Sequence, residues 1–383
     1  MSDRIPQQVL PLRVAIDARL NAYRVGGIPQ YTAQLILALA ALSADDQFIV
    51  LEHRKAPRPV ATAPNIRRRR LWTPPHNRWE QWALPIEMLR MKADILHCPD
   101  FIPPFRRTVP AVITVHDLAF LHFPEILDDN AKRYYGQIGK AVHDADAIIA
   151  VSETTAADLR NLLAVPAERI TVVPEAAARL FQQIDLEAEA TAEINGVPLT
   201  AGTFALFVGT VEPRKNLPTL LRALAVCRDE DAAASPQLVI AGPRGWLDGP
   251  IFELIRDLKL GDQVRLVGGV GPEQLLWLYN ACRFYIQPEL YSGFGLPVLE
   301  AMQCGAAVVA ADAAALPELI GDAGLLVMAT EIEAWVDALR HLWNDPELRA
   351  ELRKRGLTRA AEYTWERAAR ETRVVYEKVL HRN

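Results

Sequence analysis

A chain of 383 residues is too long for one ordinary hydrophobic core and predicts two domains. Half of the residues are hydrophobic and 23% are charged, a globular balance, and the net charge of −5 argues against a general nucleic-acid binder. The charge is uneven, with residues 1–180 summing to about +3 and the remainder to about −8. Cys98, Cys227, Cys282 and Cys304 are scattered without a CxxC spacing, which predicts a reducing compartment and no zinc site. The first residues, MSDRIPQQVLPLRV, lack the apolar core of a signal peptide, and no stretch approaches the ~20 apolar residues of a membrane span. A soluble cytoplasmic protein is expected.

In chain order, RVAIDARL (13–20) reads as a buried strand, followed by a loop with Gly26 and Gly27 and a helix over Tyr31 to Leu42. The loop is not GxGxxG, so the dinucleotide fingerprint is absent; the paired glycines suit either a phosphate approaching the backbone or a plain connection. QFIVLEH (47–53) and IRRRRLW (66–72) are further strands, and Trp79 to Met91 is predicted helical. Arginines and Trp72, Trp79 and Trp82 together suit an anionic membrane surface; the other reading is a solvated edge strand with inward-packing tryptophans. ADILHCP (93–99) and AVITVHD (111–117) are strands, the second placing His116 at its C-terminal end, where open α/β sheets bind ligands. Residues 128–144 are predicted helical. Asp144-Ala-Asp146 has the letters of a metal-binding DxD but falls between that helix and the strand AIIAVS (147–152), so it is read as incidental and no metal is expected. Ser152 is placed as the N-cap of the next helix, and ITVVPE (170–175) closes the half.

The pattern weakens over 176–200, the candidate interdomain linker, and then βα alternation resumes. FALFVGT (204–210) leads to Arg214 and Lys215, adjacent cations before a helix capped by Asn216, an arrangement that suits an anion. QLVIAGPRGW (237–246), VRLVGGV (264–270) and RFYIQP (283–288) are strand regions. The last runs into ELYSGFGLPVLEAMQCG, with a glycine loop, Pro297 at a helix start, Glu300 one turn in and Gly305 at the helix end. AAVVAAD and GLLV are strands, and helices over 330–344, 346–362 and about 364–381 complete the chain. Repeated βα units predict an α/β protein with mostly parallel sheets.

FVGTVEPRKNLPTLLRA (207–223), LVIAGPRGW (238–246), QPELYSGFGLPVLEAMQCGAAVVAAD (287–312) and LPELIGDAGLLV (316–327) together resemble the retaining glycosyltransferases of family 4, the group 1 enzymes. In the first half, IDARLNAYRVGGIPQYTAQL, TVHDLAFLHFPE and VSETTAADL look like the same group. The resemblance implies two Rossmann-like domains facing across a cleft, the GT-B architecture. It implies an acceptor-side domain over 1–185, a nucleotide-sugar donor domain over 186–363, and a helix over 364–383 returning to the first domain.

By the same resemblance, Arg214 and Lys215 hold the donor diphosphate, and Phe294, Gly295, Leu296 and Pro297 approach the diphosphate and sugar. Glu300 accepts from the ribose as the second glutamate of an E-x7-E motif, Gly26 and Gly27 form the loop that closes near the donor, and His116 stands near the transferred sugar. One position departs from the family pattern, since Ser292 stands where the first glutamate is usual. Glu289 lies three residues earlier and would share a face with Ser292 in a helical turn, so it is expected to supply the missing carboxylate. The alternative is that Ser292 suffices and Glu289 is exposed to solvent. The implied activity is retaining, metal-independent transfer of a hexose such as mannose from a nucleotide diphosphate sugar, with no cofactor. The acceptor is a saccharide or lipid-linked saccharide in cell-surface polysaccharide synthesis, with peripheral contact at the inner membrane face. Rival readings are a non-catalytic nucleotide-sugar binder, which Ser292 would permit, and another enzyme of the fold such as an epimerase.

Overall fold

The computed structural model describes residues 11–382 except 25, 90, 127–128, 232–234 and 246–247. The opening ten residues and Trp246 of the LVIAGPRGW motif thus lie outside the described residues.

Seven short runs pair in parallel to make the first sheet. They are β1 (Arg13–Asp17), β2 (Gln47–His53), β3 (Ile66–Leu71), β4 (Ile95–Cys98), β5 (Ala111–Val115), β6 (Ala147–Ala150) and β7 (Ile170–Val172). Their order across the sheet is β3-β2-β1-β4-β5-β6-β7. β4, β5 and β6 are buried at every residue, which is why they read as unbroken apolar runs rather than as alternation. The arginine-rich β3 is the edge strand, where alternate side chains reach water. Residues 129–144 form two helices, Asp129–Tyr135 and Ile138–Asp144, instead of the single helix predicted. The break falls at Gly136, where a Cβ would lie 2.7 Å from the Lys132 carbonyl oxygen.

The weakly patterned 176–200 stretch contains an antiparallel hairpin, β8 (Thr191–Ile194) and β9 (Val197–Thr200). Asn195 and Gly196 both have positive φ (49° and 82°), as a two-residue hairpin turn requires. The second sheet is built from β10 (Ala205–Val208), β11 (Leu238–Ala241), β12 (Val264–Gly268), β13 (Phe284–Gln287), β14 (Val308–Ala311) and β15 (Leu325–Val327). It is parallel throughout, in the order β12-β11-β10-β13-β14-β15. Each sheet therefore reverses its winding once, between β1 and β4 and between β10 and β13. Such reversals leave a crevice at the strand C-termini.

Six helices flank the cleft or close the first core: α1 (Gly27–Leu42), α2 (Glu80–Met88), α3 (Glu153–Leu163), α4 (Leu217–Glu230), α5 (Leu296–Gln303) and α6 (Trp365–Arg382). α6 crosses back and completes the first core, where Trp365, Ala369, Val375, Tyr376 and Val379 pack with Val14, Ile16, Leu35 and Phe48. Burying a large apolar side chain stabilises by roughly 1.5–3 kcal/mol. The Tyr376 hydroxyl lies 2.7 Å from Nδ1 of His97 on β4, so the returning helix also meets a buried polar group. Among the described residues, no helix is long and apolar enough to cross a membrane.

Candidate active site

At the second sheet's reversal, the loops after β10 and β13 bring opposite charges together. Arg214 and Lys215 sit on a single 3-10 turn, Pro213–Lys215, and Glu289 lies two residues beyond β13. Glu289 is 1% exposed, so it is not the solvent-facing carboxylate of the alternative reading. Its carboxylate pairs with the Lys215 ammonium, and Arg214 Nη1 stands 3.7 Å away. Arg214 also binds Glu212 Oε1 at 2.8 Å and the Tyr291 carbonyl at 3.1 Å. Residues 289–292 form no helical turn, contrary to expectation. Glu289 is turned instead toward the two cations, whose attraction in a buried setting outweighs any local helical preference. Asn216 also differs from its predicted role: its side chain caps nothing and donates to the carbonyls of Pro288 (3.0 Å) and Ala329 (2.6 Å), tying the β10 loop to the β13 loop.

The loop from Ser292 to Leu296 then delivers the chain to α5. Gly295 has φ 103°, which favours glycine, and a Cβ there would press on the Leu316 and Leu319 methyls at 3.0 Å. Phe294 is buried against the Tyr363 ring, with centroids 5.8 Å apart. Pro297 occupies the first turn of α5, as predicted. Glu300, one turn on, accepts from the Tyr279 hydroxyl at 2.9 Å. Burial raises its carboxyl to about 8; the Tyr279 hydrogen bond opposes that rise and the charge of Glu175 adds to it.

His116, at the end of β5, faces this loop across the cleft. Its Nδ1 lies 2.6 Å from Glu175 Oε1 and its Nε2 lies 2.9 Å from the Pro99 carbonyl oxygen. Both partners are acceptors, which favours hydrogen on both ring nitrogens and hence the cation. Burial works against that charge, but the Glu175 hydrogen bond and charge outweigh it and the pKa is raised. Gly26 and Gly27 lead into α1, and a Cβ on either would meet nothing within 4 Å. The space before them is open, and only Gly26 needs glycine, for its φ of 144°.

The two walls touch through the same loop. A Cβ on Gly293 would collide with the His116 carbonyl oxygen. The Gly293 carbonyl accepts from Ser152 Oγ at 2.6 Å, and Ser152 also caps α3 as predicted. Tyr291 donates to Asp158 Oδ2 at 2.6 Å, and that carboxylate also lies 3.0 Å from His122 Nε2. Sequence reasoning missed Glu175, Tyr291 and Asp158, because each acts through a partner far away in the chain. The only sequence trace is that Glu175 ends the run carrying β7. The DxD letters have a structural account: Arg107 pairs with Asp144 and lies 3.1 Å from Asp146 Oδ2, at the N-terminal end of β6 and away from the cleft.

Two family models match this chain: Glycosyltransferase Family 4 over residues 25–176 and Glycosyl transferases group 1 over residues 195–359. The O-antigen chain mannosyltransferase B of Escherichia coli is 32% identical over 303 residues, covering 79% of this chain and 78% of that protein. The chain belongs to the group 1 glycosyltransferases of family 4. A D-inositol 3-phosphate glycosyltransferase of Rhodococcus erythropolis is 29% identical, covering 94% of this glycosyltransferase and 88% of its relative. Among solved structures, sucrose-phosphate synthase from Thermosynechococcus elongatus superposes with a TM-score of 0.76 at 22% identity, covering 97% of this chain and all of that one. That likeness supports the two-domain GT-B fold. In this glycosyltransferase the two family models fall on the two sheets, and Arg214, Lys215, Glu289 and His116 gather where the sheets face each other.

Proposed function

We propose that this glycosyltransferase moves mannose from a nucleotide diphosphate sugar to a saccharide or lipid-linked saccharide of a cell-surface polysaccharide, with retention and without a metal. The observation that carries this reading is the half-buried Arg214–Lys215 pair at the crevice of the second sheet, held in place by the buried Glu289. Two fixed cations beside the N-terminus of α5 supply the positive charge that a leaving diphosphate needs. The name of the Escherichia coli relative supports mannose and a polysaccharide product.

In the reading we favour, the bond from the anomeric carbon to the phosphate oxygen breaks while the acceptor hydroxyl attacks from the same face. The new bond joins the anomeric carbon to the acceptor oxygen, and the acceptor proton passes to the departing phosphate oxygen. Glu289 then has two duties: orienting Lys215 and offering a carboxylate near the sugar. The imidazolium of His116 lends positive charge on the other side of the cleft, held by Glu175. The test is transfer from GDP-mannose with the product's anomeric configuration read by NMR, with and without EDTA. Retention unaffected by EDTA is expected; an inverted product or loss of activity in EDTA overturns the corresponding part.

The lipid-linked reading is supported by α2 and its approach. Trp79, Trp82, Ile86 and Leu89 are exposed, and guanidinium groups lie over the Trp72, Trp79 and Trp82 rings at 3.9, 5.1 and 4.7 Å. Apolar rings beside arginines fit an anionic lipid surface. The tryptophans therefore do not pack inward under the edge strand. Sedimentation with phosphatidylglycerol vesicles is expected to carry the wild type down and to leave Trp82→Ala/Ile86→Ser in solution.

A further inference from the structure

The first sheet has a crevice of its own, between β1 and β4, and it faces the cleft that the donor residues line. Asp17 ends β1, Asp100 follows β4, and His76 lies on the loop between β3 and α2. Nothing in their spacing connects positions 17, 76 and 100; only the fold does. Asp17 and Glu80 both pair with Arg19, whose guanidinium is 1% exposed and also donates to the Thr73 carbonyl at 3.1 Å. Arg19 is thus held by two carboxylates and a carbonyl. Asp17 and Asp100 keep some of their surface open, with side chains 15% and 17% exposed.

The imidazole of His76 makes two contacts in this crevice. Its ring stacks on Tyr134, with centroids 3.7 Å apart and planes 25° from parallel, and its Nε2 pairs with the Asp100 carboxylate. Tyr134 is fixed in turn by donating to the Asp100 carbonyl at 3.0 Å. A flat ring on an aromatic face with a hydrogen donor to a carboxylate is also how a pyranose is gripped: C–H face on the ring, hydroxyl on the carboxylate. His76 has a φ of 59°, an uncommon backbone for a residue with a side chain, and such backbones gather at ligand clamps. The cavity beside it measures about 10 Å³, room for a water at most, so nothing larger enters while His76 is in place.

We propose that His76 occupies the acceptor-sugar subsite as a plug, and that the acceptor's sugar ring replaces it on Tyr134, Asp100 and Asp17. The reading rests on this protein being a sugar-transferring enzyme. The subsite leads toward the donor. Asp100 lies close enough to His116 to help raise its pKa, and Asp117, next to His116 in the chain, acts in the same way on Arg214 across the cleft. The charge balance also selects the ligand. Asp17 and Glu80 share a single buried guanidinium, Asp100 pairs with His76, and the exposed Arg24 interacts with Tyr135, further along. A neutral saccharide end is accepted, and a phosphorylated acceptor such as inositol 3-phosphate is repelled.

The experiment is a titration of the full chain with methyl α-mannobioside and with inositol 3-phosphate, followed by saturation-transfer NMR without donor. The variants are Asp100→Asn and His76→Ala, each checked by melting temperature. A merely structural ion pair predicts that both variants behave alike. The plug predicts opposite signs: at least tenfold weaker mannobioside binding in Asp100→Asn, and binding several-fold tighter than wild type in His76→Ala. Acceptor KM measured with GDP-mannose follows the same order. Equal effects in the two variants, no mannobioside binding in either wild type or His76→Ala, or inositol 3-phosphate binding as well as the mannobioside, each overturns the proposal. If the binding order holds but GDP-mannose gives no product, the donor assignment fails and the subsite stands.

Discussion

The two sheets are wound alike and carry opposite chemistry at the same topological place. At the β10/β13 reversal the loops present Arg214 and Lys215, with one buried carboxylate, Glu289, between them. At the β1/β4 reversal the loops present Asp17, Glu80 and Asp100, with one buried guanidinium, Arg19, among them. Two cations share Glu289 on one side of the cleft and two carboxylates share Arg19 on the other, while Glu212, the second partner of Arg214, leaves the β10/β13 crevice without net charge. In each case the shared charge is the most buried member, with 1% of its side chain exposed. Removing one partner from a buried pair is costly, because the other is left uncompensated. The shared residue therefore fixes the geometry of its partners.

Lys215→Ala strikes this division of charge hardest. It removes a cation from the donor crevice and frees Glu289 to repel the diphosphate, so donor kcat/KM is expected to fall about 10²-fold in steady-state assays. Glu289→Gln tests whether the shared residue matters in its own right. Transfer is expected to fall well over tenfold although both cations remain, and near-wild-type rates would leave Ser292 as sufficient. Gly293→Ala separates the crevices instead of altering either. The new Cβ meets backbone, which cannot move aside as a side chain can. Transfer is expected to fall roughly tenfold, with calorimetric nucleotide binding nearly unchanged and a larger radius of gyration in solution scattering.

The mildest consequence concerns stability. Glu300 keeps its proton up to about 8 in the fold, against an ordinary value of 4.5. Between those values the folded state binds more protons than the unfolded one, so this group's contribution to stability falls as pH rises through that window. Glu300→Gln removes the titration. Relative to wild type, its melting temperature is expected to rise by a few degrees between pH 5 and pH 9, while nucleotide binding weakens through the lost acceptor. A constant difference across that range would mean that Glu300 is ionised in the fold.

Much of the architecture was legible because fully buried parallel strands have an unmistakable composition. AVITV, AIIA, LVIA and VVAA are apolar or nearly so throughout, and each is a strand. The β8–β9 hairpin was not read, although Asn195-Gly196 is a strong local signal, because strands of four residues with exposed faces look like linker. The charged crevice of the second sheet was visible since Arg214 and Lys215 adjoin each other and the GFGLP loop is contiguous in sequence. The partners of His116 were not, because Glu175 and Pro99 reach it only through the fold. The first crevice left no local trace, as its members come from three separate loops. Ion pairing also redirected single residues: Glu289 toward Lys215 instead of a helical turn, and Asp144 and Asp146 toward Arg107.

The return of α6 to the first core sets an order of events during synthesis. Tyr376 follows its partner His97 by 279 positions. At about 5–20 residues per second, a ribosome needs roughly a quarter of a minute to a minute to deliver that stretch. Until then the wall of Val14, Ile16, Leu35 and Phe48 lacks its cover, whereas the second core draws almost wholly on residues 176–360 and needs nothing from α6. The domain made first is therefore finished last. A nascent chain stalled before Trp365 should hold a complete second core tethered to an unsealed first one, the species that a chaperone would bind.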